Sequence, residues 1–276
     1  MINIKDADDL HKVVVLNPKG GCGKTTLATN LAACYAQRGP PPTLVDCDPE
    51  GFSMRWLEKR PAGRAPIRGV EAYGDAVDPT VPFGCGAPEE SSAVLFDLPA
   101  AIPNGQLHGY TYAADSILIP IMPSAIDVYS ATRFIAELLL DAQLDRHEQK
   151  VAIVANRVRC NTKSYQMLVR FLTSLRIPVI AALRDSQNFV YATAHGIGVC
   201  EMPAHRVKGD VVQLNAVLAW LAKRRTILQR AHMLEQREAL IARAAYRRAE
   251  RRGFEGGDAV ADWLAAEREI EAGDRR

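Results

Sequence analysis

Several things this chain lacks narrow what it can be. Its 276 residues carry 34 basic and 32 acidic side chains, a formal charge of only +2, so attraction to a polyanion must come from local patches and not from the total. No uninterrupted apolar run approaches the roughly 18 residues of a membrane-spanning helix. Met1–Leu10 has four charged residues and no apolar stretch of the secretory kind, so no signal peptide is expected. The six cysteines (Cys22, Cys34, Cys47, Cys85, Cys160 and Cys200) form no C-x-x-C pair, which argues against a disulfide or zinc framework and for a reducing compartment. No serine–histidine or cysteine–histidine catalytic grouping is evident. With 48% apolar residues the chain can bury a sizeable core, and a cytosolic globular protein is expected.

What is present alternates. Short, β-branched, almost continuously apolar runs at Lys12–Asn17, Thr43–Asp46, Ala93–Asp97, Ser116–Ile121, Val151–Asn156 and Val179–Leu183 read as strands buried on both faces. Helical patterns lie at Lys24–Arg38, Ile126–Leu144 and Lys163–Leu175. This predicts an α/β fold, a doubly wound, mostly parallel sheet with helices on both faces and ligands at the carboxyl ends of the strands. Residues 60–92 hold Pro61, Pro66, Pro79, Pro82 and Pro88 and read as an irregular excursion, with one strand near Ile67–Ala72. No proline follows Pro203, and a long C-terminal helical extension is expected. Within it Asp210–Arg225 would pack on the sheet through Val212, Leu214, Val217, Leu218 and Leu221. Lys223–Arg252 holds ten basic and three acidic residues, and Gly253–Arg276 three basic and seven acidic. We place the domain boundary between 1–225 and 226–276; the second part reads either as a solvated helix packed on its own domain or a mate, or as a binding arm.

The strongest chemical signal follows the first strand: Lys19-Gly20-Gly21-Cys22-Gly23-Lys24-Thr25-Thr26. Strand, glycine-rich turn and helix start come in the order a phosphate cradle needs, because glycines let backbone N–H groups turn toward an anion at the positive end of a helix. Lys24 would reach the β- and γ-phosphates of a nucleotide, and the Thr25 hydroxyl would ligate Mg²⁺. Asp48, in the turn Asp46-Cys47-Asp48-Pro49-Glu50-Gly51 that follows the second strand, and Asp97, in Asp97-Leu98-Pro99 at the end of a third, stand where carboxylates can meet the γ-phosphate water and the metal's hydration shell.

The motif departs from G-x-x-x-x-G-K-[ST], with Pro18 at its first position, and instead reads K-G-G-x-G-K-[ST]. Over residues 10–225 the chain resembles the ParA/MinD family of deviant Walker A ATPases. The P-loop carries the resemblance, with the D-x-D-P-x-G turn, Asp97-Leu98-Pro99, Ile119-Pro120-Ile121-Met122-Pro123 and Asn156. Glu50, where the ParA branch usually has Gln, and Ala100 depart from it. The resemblance implies an ATP-dependent homodimer in which Lys19 crosses to the partner's phosphates, Asp48 orients the attacking water, Asp97 holds the metal's waters and Asn156 meets adenine. Gly20, Gly21, Cys22, Gly23, Lys24, Thr25 and Thr26 would bind ATP, with Thr25, Asp48 and Asp97 around Mg²⁺.

ParA-like members bind DNA non-specifically as ATP dimers and, with a stimulating adaptor protein, partition plasmids or chromosomes or position protein organelles such as carboxysomes. That would make this chain nucleoid-associated. Arg184, Arg206, Lys208, Lys223, Arg224 and Arg225 are the candidate phosphate contacts. MinD-like members bind membrane instead, but Ala231–Arg252 lacks the Phe/Trp/Leu-rich face that inserts into an interface, so no membrane is expected. Two further readings remain open: a regulator that binds nucleotide without hydrolysing it, and an iron-protein relative, for which only Cys85 and Cys160 are conceivable ligands.

Overall fold

The structure, a computed structural model, describes residues 10–73, 91–102, 106–112, 114–141, 150–159, 162–174 and 177–273. Seven strands, β1 (Lys12–Val15), β2 (Thr43–Asp46), β3 (Arg68–Glu71), β4 (Val94–Asp97), β5 (Ser116–Ile121), β6 (Val151–Val158) and β7 (Val179–Arg184), form one sheet in the order β3-β2-β4-β1-β5-β6-β7. Every pairing is parallel. The strands fall where the apolar runs predicted them, because a strand covered on both faces has no polar position to interrupt the run.

Alternation along each strand feeds two separate cores. Val14, Phe96, Ile117, Ile119 and Ile153 face one layer. That layer is covered by helix α4 (Ala125–Asp141) through Phe134, Ile135 and Leu138, and by α5 (Lys163–Ser174) through Leu168 and Leu172. Val13, Val15, Leu95, Leu118 and Val154 face the other, against helix α1 (Lys24–Ala36) and the start of the long helix α7 (Ala204–Arg251). Helices α2 (Phe52–Glu58), α3 (Gln106–Tyr112) and α6 (Gln187–Ala194) complete the connections; none shows in the sequence periodicity, because seven or eight residues give a helical repeat barely two turns to register. β3 is an edge strand, mostly exposed, at the place where one was expected in the proline-rich excursion; residues 74–90 of that excursion, with Cys85, and also Cys160 lie outside the described residues.

The chain divides into two compact units, Met1–Arg224 and Arg225–Arg276. In the first, α7 packs through Val207, Leu214, Val217, Leu218 and Leu221. Val212, expected among them, is 62% exposed, a correction that follows from helical phase: two residues from Leu214 is more than half a turn away. The second unit is a helical hairpin, Arg225–Arg251 of α7 and α8 (Ala259–Gly273). The expected long helical run breaks at Gly253, Phe254, Gly256 and Gly257, all with positive φ. Arg237 pairs with Glu271 at 2.6 Å, Arg248 with Glu269 at 2.8 Å and Arg252 with Asp262 at 2.5 Å across the two helices. Among the described residues no helix is long and apolar enough to cross a membrane.

Candidate nucleotide site

The glycine-rich turn leaves the carboxyl end of β1, near the centre of the sheet, and runs into the N-terminus of α1. Gly21 (φ 74°) and Gly23 (φ 97°) occupy the left-handed region, which a side chain at either place would strain. At Gly23 there is a second constraint: a Cβ would come within 2.2 Å of the Asn156 amide nitrogen. That amide donates to the Cys22 carbonyl at 2.8 Å, so a side chain of β6 braces the loop. The brace is aimed by a break in the β6–β7 register between Ala155 and Val158, where Arg157 has φ 51°. Asn17 holds the loop from the other side, donating to the Pro120 carbonyl at 2.7 Å and accepting from the Lys19 N–H at 2.9 Å. Lys24 is buried at the helix start, its Nζ 3.4 Å from the Lys19 carbonyl, so an ammonium sits inside the curl of the loop.

The carboxylates follow from strand register. Asp46 and Asp97 end neighbouring strands at paired positions and are both buried. Asp46 accepts from the Asp48 and Met54 N–H groups, each at 3.1 Å, so it shapes the turn. This leaves Asp48 as the half-buried carboxylate at the mouth, its Oδ1 accepting from the Glu50 N–H at 3.0 Å. Asp97 Oδ2 accepts from Ser53 at 2.8 Å, while Oδ1, fully enclosed, makes no hydrogen bond of ordinary geometry. Burial lifts the Asp97 pKa to about 7, and the neighbouring Thr25 and Ser53 hydroxyls only partly oppose it. A buried, under-satisfied carboxyl beside a phosphate-shaped loop, with the Thr25 hydroxyl and Lys24 close by, fits a hydrated divalent cation that arrives with a triphosphate. Among the described residues no three His, Cys, Asp or Glu side chains converge on a metal position, so such a cation would take most of its ligands from phosphate and water.

Lys19 reaches the rim, about a third exposed, and its ammonium pairs with Asp127 in the first turn of α4. Asp127 is buried and also hydrogen-bonded to the Ser124 hydroxyl, which in turn accepts from the Asp127 N–H at 3.1 Å. Asp127 was absent from the sequence reading, yet Ser124-Ala125-Ile126-Asp127 is an S-x-x-D start signal that a search for helix caps would have found. Asn17 and Ser53 carry no such signal; only the fold brings them here. A cavity of about 560 Å³ opens beside the loop, walled by Gly23, Thr26, Asn156, Arg157, Gln187 and Phe189.

Residues 13–199 match the family described as the CobQ/CobB/MinD/ParA nucleotide binding domain. The chain belongs to this family. It is 29% identical over 210 residues to the maintenance of carboxysome distribution protein A of Halothiobacillus neapolitanus, covering 75% of this chain and 94% of that one. An ATP complex of a Cyanothece McdA variant superposes with a TM-score of 0.60 at 15% identity, covering 78% of this chain and 96% of the other. The cell division ATPase MinD of Pyrococcus furiosus gives 0.56 at 15%, covering 76% and 100%. At such identities the structural likenesses speak for the fold. Residues 236–272, in the hairpin, match a separate family described as of unknown function (DUF2934).

The basic candidates do not form one surface. Arg206, Lys208 and Lys223 are exposed, but 206 and 208 lie two residues apart on α7, more than half a turn around it. Arg184 is held bidentately by buried Asp210, at 2.6 and 2.9 Å, so its guanidinium is already engaged. Arg224 is buried and donates to the Asp115 carbonyl at 3.1 Å, and it is withdrawn as a phosphate contact because it has no open face. Arg225, half-buried, begins the second unit.

Proposed function

We propose that this protein is a Mg²⁺-dependent ATPase whose ATP-bound form closes as a homodimer, binds DNA without sequence preference and positions an intracellular cargo. A partner-stimulated hydrolysis step ends that state. The observation that carries this reading is the second lysine of the loop. Lys19 sits at the rim, apart from buried Lys24, and is held by a carboxylate of its own chain. A cation so placed is available to a triphosphate in an opposing copy once Asp127 lets it go, and a desolvated triphosphate favours a second ammonium.

In this reading the N–H groups of residues 20–25 and the Lys24 ammonium hold the β- and γ-phosphates, and the 560 Å³ cavity receives the base, with Asn156 on its wall. Thr25 and the water around Asp97 would seat Mg²⁺, which supplies charge neutralisation on the phosphates when bound. Asp48, at the mouth, orients the attacking water. With little covalent chemistry to perform, the residues act by positioning and electrostatics, so turnover stays slow until a partner completes the site. Arg206, Lys208 and Lys223 are the remaining DNA contacts, and pairing two copies doubles the phosphates they neutralise. The relative named for carboxysome distribution, matched over 94% of its length, supports an organelle-type cargo.

The test is ATP-dependent DNA co-sedimentation in parallel with phosphate release. Wild type should need ATP and Mg²⁺ for both, and binding should fall steeply with salt. Lys19→Ala should lose ATP-dependent DNA association while still binding one nucleotide per chain. DNA binding indifferent to nucleotide, or undiminished by Lys19→Ala, would overturn the reading.

A further inference from the structure

The ATPase unit buries its apolar residues on both faces of a sheet, but the C-terminal hairpin does not bury its own. Among its described residues only Ile241, Asp262 and Ala266 are buried. Nine large hydrophobic side chains stand 38 to 62% exposed between Ile227 and Leu264. They are ordered along the helices. Val260, Trp263 and Leu264 fall at i, i+3 and i+4 on α8, and Met233 and Leu240 seven residues apart on α7, so each helix presents a stripe beyond the seam already closed by Arg237, Arg248 and Arg252. About fifty residues in two helices rarely sustain a fold without a partner.

We propose that the hairpin is a self-association module, and that its partner is the hairpin of a second copy of this chain. The charge pattern selects that partner. The unit has eleven basic and ten acidic residues, but unevenly: eight basic against three acidic from Arg225 to Arg252, and three against seven from Gly253 onward. Inside the hairpin Arg237, Arg248 and Arg252 already take up Asp262, Glu267, Glu269 and Glu271, so a two-fold arrangement would set what is left, the exposed arginines of one copy against Glu255 and Asp258 of the other, which is the self-complementarity an isologous interface requires. DNA would be attracted by the first arm and repelled by the second. The exposed arginines Arg230, Arg243, Arg247 and Arg251 therefore answer an acidic protein surface better than a polyphosphate. The four helices so assembled would bury the two stripes as a bundle core.

This association is distinct from the nucleotide-driven closure and does not depend on it. Its consequence is to hold two ATPase units at high effective concentration, so that ATP closes a pair already tethered. The experiment is sedimentation velocity on the full chain, free of nucleotide, across the micromolar range. A dimer is expected, and Lys24→Ala should leave it unchanged. Leu240→Glu, on one arm, and the double change Trp263→Glu with Leu264→Glu, on the other, should each weaken it at least about tenfold while far-UV circular dichroism keeps its helix signal. All these positions are exposed, so the substitutions do not open the core of the unit. A monomer throughout would overturn the proposal, as would a dimer that both variants leave intact or one that Lys24→Ala abolishes.

Discussion

The ATPase unit and the hairpin spend similar residue types in opposite ways. In the first, β1 presents Val13, Val14 and Val15 with no measurable exposure, alternately to two helical layers, and the functional groups are simply what remains at the carboxyl edge. In the second, leucine, tryptophan and tyrosine face outward, and three arginine–carboxylate pairs span the two helices. The first organises a small-molecule site by burying everything else. The second has nothing to organise unless its outer stripes meet another surface. The division of labour therefore predicts that damage to one unit leaves the other's property standing.

The largest effect should come from Lys24→Ala. The buried ammonium inside the loop is the charge nearest the phosphate space, and its loss should lower phosphate release by about 100-fold or more. The hairpin's helix content and nucleotide-free association should not move. A collapse of both would mean that the two units are energetically one, and the comparison would fail.

Asp97→Asn sharpens it through pH. A carboxyl whose pKa rises to about 7 on folding keeps a proton that the unfolded chain has already released, so the folded state loses stability as pH climbs from the ordinary carboxylate range through 7. Asparagine removes that loss. Without nucleotide the variant should melt several degrees above wild type at about pH 8 and gain less than about half as much at about pH 5, while Mg²⁺-supported hydrolysis falls at both. Scanning calorimetry against pH decides this; an equal gain at both pH values would assign the effect to packing instead of charge.

Much of this site could be read from the chain. The strand ends carrying Asp46, Asp97 and Asn156 were visible because parallel strands buried on both faces are continuous apolar runs whose polar ends stand out. The loop was visible because its glycines and lysines have fixed spacing. What escaped were pairings between distant segments: Asp127 with Lys19, Ser53 with Asp97 across 44 residues, and Asn156 with the Cys22 carbonyl across 134. Arg224 failed as a surface cation for the same reason, and Arg184, though exposed, is already engaged. Their partners, Asp210 and the Asp115 carbonyl, are brought to them by packing, and a charge in a sequence says nothing of what will neutralise it.

Asp127→Asn asks how far the Lys19 pair restrains the site. The amide retains a hydrogen bond to Ser124 but gives up the charge that holds the ammonium. If Lys19 must leave Asp127 to meet an opposing phosphate, the variant should dimerise with ATP more readily, by about threefold to tenfold, and Lys19→Ala in that background should cancel the gain. Analytical ultracentrifugation with ATP and Mg²⁺, in a background carrying Leu240→Glu with Trp263→Glu and Leu264→Glu so that the hairpin does not itself associate, measures it. Weaker dimerisation would recast Asp127 as a support that aims Lys19.

The hairpin's inner seam offers two further effects, the second the smallest of all, and their ranking tests why it holds. Ile241, 2% exposed, is the one large apolar side chain buried among the unit's described residues; Ile241→Ala should cost about 2 kcal/mol there, at the low end for a core truncation because a two-helix seam can close on the gap. Arg237→Ala removes two ion pairs, to Glu267 and Glu271, yet should cost no more than about 0.5 kcal/mol, because these partners are a third to a half exposed and water screens them. Hydrogen exchange across residues 225–273 reads both without interference from the ATPase core. The reverse order would make the charges, and not the single buried isoleucine, the reason the two helices stay together, and a hairpin held by screened charges would have no preformed stripe to offer a second copy.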